Sequence, residues 1–195
     1  MRRSSNNNGD QLVWIEKIQT GDHQAFENLF KEYYLPLTRF AWGYVKSKAI
    51  AEEIVQEVFA DVWANRKNWS IDYSIRSYLY KTVKNESLNY LKHQKIEDEY
   101  DSRWMDQKDN PTINFDYELR EEQIREAVKE AIDELPRRAK MTYKLHRHDG
   151  LTYHEIAEVM EVSVKTVESQ MTRTLKTLRE RLSYLLPFFL ACLMV

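Results

Sequence analysis

Along residues 150–182 apolar side chains return at steps of three and four, with one break. Ile156, Ala157 and Met160 make a short apolar stripe. Val164, Val167, Met171, Leu175, Leu178 and Leu182 make a longer one. That period predicts a helix from about Thr152, a tight turn, and a second helix opening at Ser163. Ser163 stands at the N-cap position, where its hydroxyl can accept from a first-turn amide. The other face of the second helix carries Lys165, Thr166, Glu168, Ser169, Thr172, Arg173 and Lys176. Short polar groups mixed with cations suit base edges and phosphates, so the segment reads as a helix–turn–helix.

The rest of the chain is also helical in period. Residues 11–20 form a short amphipathic stretch that stops at Gly21. From Asp22 a second stretch gathers Phe26, Leu29, Phe30, Tyr33 and Tyr34 on one side, an aromatic stripe expected to be core. Pro36 predicts a kink there or the start of a new helix. Residues 49–65 are the most regular, with Ile50, Ile54, Val58 and Val62 in one row and Val55, Phe59 and Trp63 in the next. Their remaining face is Glu52, Glu53, Gln56, Glu57 and Asp61, either simply solvated or a docking face for a basic protein surface. A polar loop with Trp69 follows. Ser74 then caps a helix whose inward positions are Ile75, Leu79 and Val83. Lys81, Asn85, Asn89 and His93 form another row, flanked by Lys84 and Lys92; it is either solvated or suited to nucleic acid. Periodicity lapses over 96–122 and resumes near Asp116, burying Leu119, Ile124, Val128, Ala131 and Leu135. Pro136 then opens a short basic helix that ends at Asp149-Gly150.

Composition narrows the fold class. Only four glycines and four prolines in 195 residues leave little turn chemistry for sheets, so an all-α protein of two small helical domains is expected. The boundaries read as 11–95, an acidic linker 96–122, 123–182, and an apolar tail 183–195. Thirteen residues interrupted by Pro187 fall short of the roughly 20 that span a bilayer. A single cysteine and a polar start fit a cytoplasmic protein without a secretory signal. The formal charge of −2 hides a pattern. Residues 75–95 set five cations against one acid, 136–150 repeat that balance, and 97–122 set ten acids against three cations. Two basic segments around an acidic one point to two DNA-facing modules.

Catalytic chemistry finds no foothold. There is no glycine-rich phosphate loop, no paired cysteine and no nucleophile motif. His146, His148 and His154 lack the helical metal spacing. No enzyme activity, cofactor, metal or small-molecule substrate is expected.

Two segments carry a family resemblance. AEEIVQEVFADVWANR at 51–66 resembles region 2 of the extracytoplasmic-function (ECF) sigma factors of bacterial RNA polymerase, and SYLYKTVKNESLNYLKH at 77–93 is similar to its continuation. LPRRAKMTYKLHRHDGLTYHEIAEVMEVSVKTVESQMTRTLKTLR at 135–179 resembles region 4. The order, spacing and variable linker agree over most of 22–182. The absence of an extra globular region between the two fits the ECF group.

The resemblance implies a transcription initiation factor that binds core polymerase and directs promoter-specific transcription. Glu53, Gln56 and Glu57 then fall on the face that docks on the clamp coiled coil of the largest subunit; the flap is the expected second polymerase contact. Lys81, Lys84, Asn85 and Asn89 fall where the −10 element is opened and a flipped base held, with Trp69 in the adjoining loop. Lys165, Thr166, Glu168, Ser169 and Arg173 fall where the −35 element is read. An anti-sigma protein is a further expected partner. The alternative is a stand-alone helix–turn–helix repressor or activator that binds duplex DNA as a dimer. Glu161 departs from the family, which has Gly in the turn; at φ > 0 a non-Gly residue there costs on the order of 1 kcal/mol. The promoter, the role of the tail and the free-state packing of the two domains are not fixed by the sequence.

Overall fold

The computed structural model describes residues 8–71, 74–98 and 119–183, with side-chain environments for 13–71, 74–94 and 125–183. The expectations for most of the linker and for the tail beyond Ser183 lie outside these residues. The described residues form eight α-helices: α1 Asn8–Gln19, α2 His23–Val45, α3 Lys48–Ala64, α4 Ile75–Asp98, α5 Leu119–Asp133, α6 Arg137–Arg147, α7 Tyr153–Met160 and α8 Val164–Arg181. A 3-10 turn, Arg66–Asn68, follows α3. Among the described residues no helix is long and apolar enough to cross a membrane.

The chain packs as two compact units. The first combines residues 1–103 with 150–162, and the second combines 104–149 with 163–195. In the first, α2, α3 and α4 pack on one another, with α1 against α2 and α7 against α4. Local chemistry sets the helix starts. Asp22 accepts from the amides of Gln24 and Ala25 and starts α2; Ser47 accepts from Ile50 and starts α3. Gly21, at φ 88°, makes the bend between α1 and α2 that a side chain would strain.

Helix α2 runs unbroken through Pro36. Of the two outcomes expected at that residue, a new helix does not occur. The missing amide leaves the Glu32 carbonyl without its helical donor, and packing of the surrounding face holds the helix together. Leu29, Leu37, Ala41, Ala51, Val55, Leu79 and Val83 are fully buried. The aromatic stripe is core-facing as expected. Phe26 packs against Trp63 at 4.8 Å between ring centroids, Phe30 against Phe59 at 4.9 Å, and Phe40 against Tyr80 at 5.0 Å. Trp69 is buried, its ring set edge-on to Tyr78 and its carbonyl accepting from Gln19 Nε2 at 2.8 Å. Its ring is a buried side chain of this unit.

In the second unit, α5, α6 and α8 surround a small core of Ala131, Ile132, Leu135 and Leu178, with Val128, Tyr143 and Leu182 packed around it. Arg181 pairs with Glu134 and Lys140 with Asp133 across its rim. Two details of α8 differ from the periodic expectation. Leu175 is 47% exposed, and the inward position beside it is taken by Thr174, which is buried. Gln170 accepts from Thr142 Oγ1 at 3.1 Å, so Met171 supplies the buried apolar contact at that turn.

The first unit's core yields a sharp contrast. Leu29→Ala should cost about 2–5 kcal/mol in urea unfolding, because it empties a fully buried site. Leu35→Ala, on the same helix but 65% exposed, should change stability by less than about 0.5 kcal/mol. Equal losses in the two variants would show that this face of α2 is not the core.

Candidate nucleic-acid interface

Three polar surfaces emerge from this scaffold. The first is on α3. Burying Ile54, Val55, Val58, Phe59 and Val62 turns Glu53, Gln56, Glu57 and Asp61 outward, all exposed. Gln56 Nε2 donates to the Tyr34 hydroxyl at 3.4 Å, which ties the acidic face to α2. Glu53 and Glu57 also line a groove of about 320 Å³ between α3 and α4, opposite Glu86, Asn89 and His93. An acidic groove of this kind accepts a cationic side chain and repels phosphate.

The second surface is the start of α4. Ser74 caps the helix by accepting from the Ser77 amide at 3.0 Å, as its position in the sequence predicts. Its own proton goes to Glu155 Oε1 at 2.9 Å, so the Ser77 hydroxyl, 3.0 Å away, must be the donor within that pair. Glu155 also closes the start of α7. Its Oε2 accepts from the Thr152 amide at 2.9 Å and Oγ1 at 3.0 Å, and Thr152 Oγ1 accepts from the Glu155 amide, a complete capping box. Arg76 Nη1 donates to the Gly150 carbonyl at 3.0 Å. Burial works against the charge on Arg76, but the neighbouring Tyr33 and Glu155 outweigh it and hold the guanidinium above its ordinary value. Burial likewise pushes the Tyr33 phenol up, against the pull of Arg76.

The four α4 residues expected at the −10 element are not equivalent. Lys81 is half-buried and lines a cavity of about 190 Å³ with Ser70, Ser77 and Glu158. Lys84 is buried, with its Nζ 3.2 Å from Glu161 Oε2. Asn85 is exposed, and Asn89 faces the acidic groove with Glu53 and Glu57. Arg76, Ser77, Glu155 and Glu158 escaped the sequence reading of this surface. The Thr152-x-x-Glu155 spacing signals the cap, yet nothing in it says that the same carboxylate reaches Ser74.

The third surface is α8. Ser163 accepts from the Thr166 amide at 3.1 Å, the expected N-cap. Lys165, Glu168, Ser169 and Arg173 are exposed, while Thr166 is half-buried and its hydroxyl lies 2.8 Å from that of Ser163. With Val167, Met171 and Leu178 turned inward, this leaves one polar face that bears three exposed cations, Lys165, Arg173 and Lys176. In the turn before α8, Glu161 adopts φ 57° and ψ 48°, the left-handed conformation that makes its departure from Gly a strained one.

Comparison with known proteins matches the chain in two regions. Residues 29–96 match the model for sigma-70 region 2, and residues 125–178 match the model for sigma-70 region 4. The chain is 28% identical over 176 residues to the ECF RNA polymerase sigma-E factor of Escherichia coli K12, covering 84% of this chain and 89% of that one. It is 24% identical over 185 residues to the sigma-E factor of Haemophilus influenzae, covering 91% and 97%. Two solved structures share the fold. CnrH in complex with the cytosolic domain of CnrY gives a TM-score of 0.58 at 19% identity, covering 89% of this chain and 97% of that one. The sigma factor RpoE in complex with the anti-sigma factor NepR from Bartonella quintana gives 0.58 at 18%, covering 81% and 96%. The region 4 match spans α7 and α8, although α7 packs in the first compact unit. With both regions matched in order in one chain, the protein belongs to the sigma-70 family, in its ECF group.

Proposed function

We propose that this chain is the promoter-specificity subunit of a bacterial RNA polymerase, acting in the cytoplasm without chemistry of its own. One observation carries the reading: a single chain presents an acidic helix face, a basic helix and a polar recognition helix in the order of regions 2 and 4. In this reading Glu53, Gln56 and Glu57 meet the basic clamp coiled coil of the largest subunit, and the flap receives region 4. Lys81, Lys84, Asn85 and Asn89 hold the opened −10 strand. Strand opening is then driven by binding energy for unstacked bases, with no nucleotide hydrolysis. Lys165, Thr166, Glu168, Ser169 and Arg173 read the −35 duplex. Residues 11–95 serve the first task and 123–182 the second, with 96–122 as the acidic linker. An anti-sigma protein is the proposed regulatory partner, since both related structures are such complexes or carry a bound cytosolic domain. A stand-alone dimeric repressor or activator is not favoured, because it has no use for a region 2.

Promoter-specific run-off transcription with core polymerase tests the reading, and stimulation on a promoter of its own genome is the expected result. A protein that never stimulates core enzyme, and binds duplex operator tightly alone, would overturn it. Arg173→Ala should weaken −35 recognition about tenfold, the effect of losing one specific side-chain contact, while core binding is unchanged. The pair Glu53→Lys and Glu57→Lys should instead abolish most core binding by like-charge repulsion and leave −35 duplex binding unchanged. The opposite pattern would mean the two regions' tasks are exchanged.

A further inference from the structure

Helix α1 lies ahead of the matched region 2, which begins at residue 29, and contributes to none of the three polar surfaces. Its last turn reaches the chain just before α4. Ile18 is fully buried, and Gln19 beside it donates its side-chain amide to the Trp69 carbonyl at 2.8 Å, fifty residues away. The rest of this junction closes around the same short segment. Trp69 follows the 3-10 turn Arg66–Asn68, and its amide donates to the Arg66 carbonyl at 3.2 Å. Arg66 in turn donates from Nη1 to the Trp63 carbonyl at 2.8 Å and lies over the Trp63 ring. The Trp69 indole N–H is buried and makes no hydrogen bond, so packing alone holds the ring, edge-on to Tyr78. The polar ties on Trp69 are on its backbone, one from within the turn and one from α1.

These ties hold one wall of the Lys81 cavity. Ser70 and Ile71, the two residues after Trp69, line it together with Tyr78 and Lys81. Helix α4 fixes the register of Tyr78 and Lys81. Ser70 and Ile71 belong to no helix, so their position depends on where the chain is pinned before them. The Gln19 amide pins it one residue away. We propose that Gln19 is a positioning residue for the −10 site: through the Trp69 carbonyl it sets where Ser70 and Ile71 stand relative to Lys81, and so which base the cavity takes best. The inference rests on the proposed −10 role of Lys81, and it adds a residue outside the matched region that shapes the selectivity of that site. Selective sites need their groups held to within about 0.5 Å, a tolerance that one lost tie is enough to exceed. With Ile18 and the Trp69 ring still packed, losing the amide shifts the segment without unfolding it.

The test uses the full-length chain with core polymerase, on a promoter at which the wild type stimulates run-off transcription. Each −10 base pair is changed in turn to the other three, and the preference at a position is the ratio of run-off from its best base to that from the others. As a ratio within one protein, it does not depend on the folded fraction. Gln19→Met removes the donor and keeps the side chain's length. It should lower the preference at one or two adjacent −10 positions about fivefold, the scale of one neutral hydrogen bond. Gln19→Lys, which restores an N–H donor, should recover the preference. Thr20→Ala, which breaks only the hydroxyl's bond to the Lys17 carbonyl at the end of α1, should keep the wild-type pattern. Unchanged −10 preferences in Gln19→Met, an even loss of run-off at every base, or no recovery in Gln19→Lys would overturn the inference. A wild-type chain that stimulates no promoter would instead overturn the functional reading beneath it.

Discussion

The Glu155 carboxylate is the group on which the first compact unit turns. Buried and charged, it is tolerable only with its acceptors filled. It fills them from two helix starts at once: the Thr152 amide and hydroxyl on its own helix, and the Ser74 hydroxyl at the start of α4. Because Ser74 simultaneously accepts from the Ser77 amide, one carboxylate orients the serine that caps α4 and completes the box that caps α7. The serine has a single proton, and giving it to Glu155 forces the Ser77 hydroxyl to point toward Ser74. A short chain of hydrogen bonds thus fixes the side chains around the Lys81 cavity before any lysine is considered.

Glu161 adds a second constraint of a different kind. Its backbone is left-handed, a conformation that glycine would adopt freely and that Glu holds at some cost. Backbone economy alone argues against Glu at this turn. Its side chain, though, reaches Lys84 at 3.2 Å, and Lys84 is otherwise enclosed. The pair gives the strained residue a role that Gly could not fill: without Glu161 a mostly buried ammonium would lose its counter-charge. The position that departs from the family thereby becomes intelligible through a residue 77 positions earlier in the chain.

This is also where reading from sequence reaches its limit. The helices, their caps at Ser74 and Ser163, the short basic helix after Pro136 and the apolar rows of α3 are local matters, decided within a turn or two, and they were legible. Leu175 and Thr174 show the first failure. Period alone assigns the leucine inward, but a stripe on a helix is wider than its partner surface, and the chain buries the threonine beside it. Trp69 shows the second. A tryptophan in a polar loop gives no sign that Tyr78, nine residues away, packs edge-on to its ring or that Gln19, fifty away, donates to its carbonyl. The acids Glu155 and Glu161 show the third. Their spacing was visible, and the cap they form could have been named, but the contacts that give them meaning span 77 and 81 residues. Non-local pairs of polar groups leave no periodic trace.

The same contacts change how the charge pattern should be understood. Counted along the sequence, the 75–95 segment looks as cationic as the 136–150 segment. Counted in the fold, Lys84 is already neutralised by Glu161, Arg76 stands beside Glu155, and Lys81 shares a cavity with Glu158. On α8, by contrast, Lys165 and Arg173 remain exposed on a polar face. Long-range attraction to DNA depends on charge that is not locally compensated. Lys165 and Arg173 of α8 therefore contribute exposed charge to the long-range field, whereas the charge of Lys84 on α4 is offset by Glu161. A net charge of −2 is then no obstacle to a DNA-binding protein. What matters is which cations are spoken for before the nucleic acid arrives.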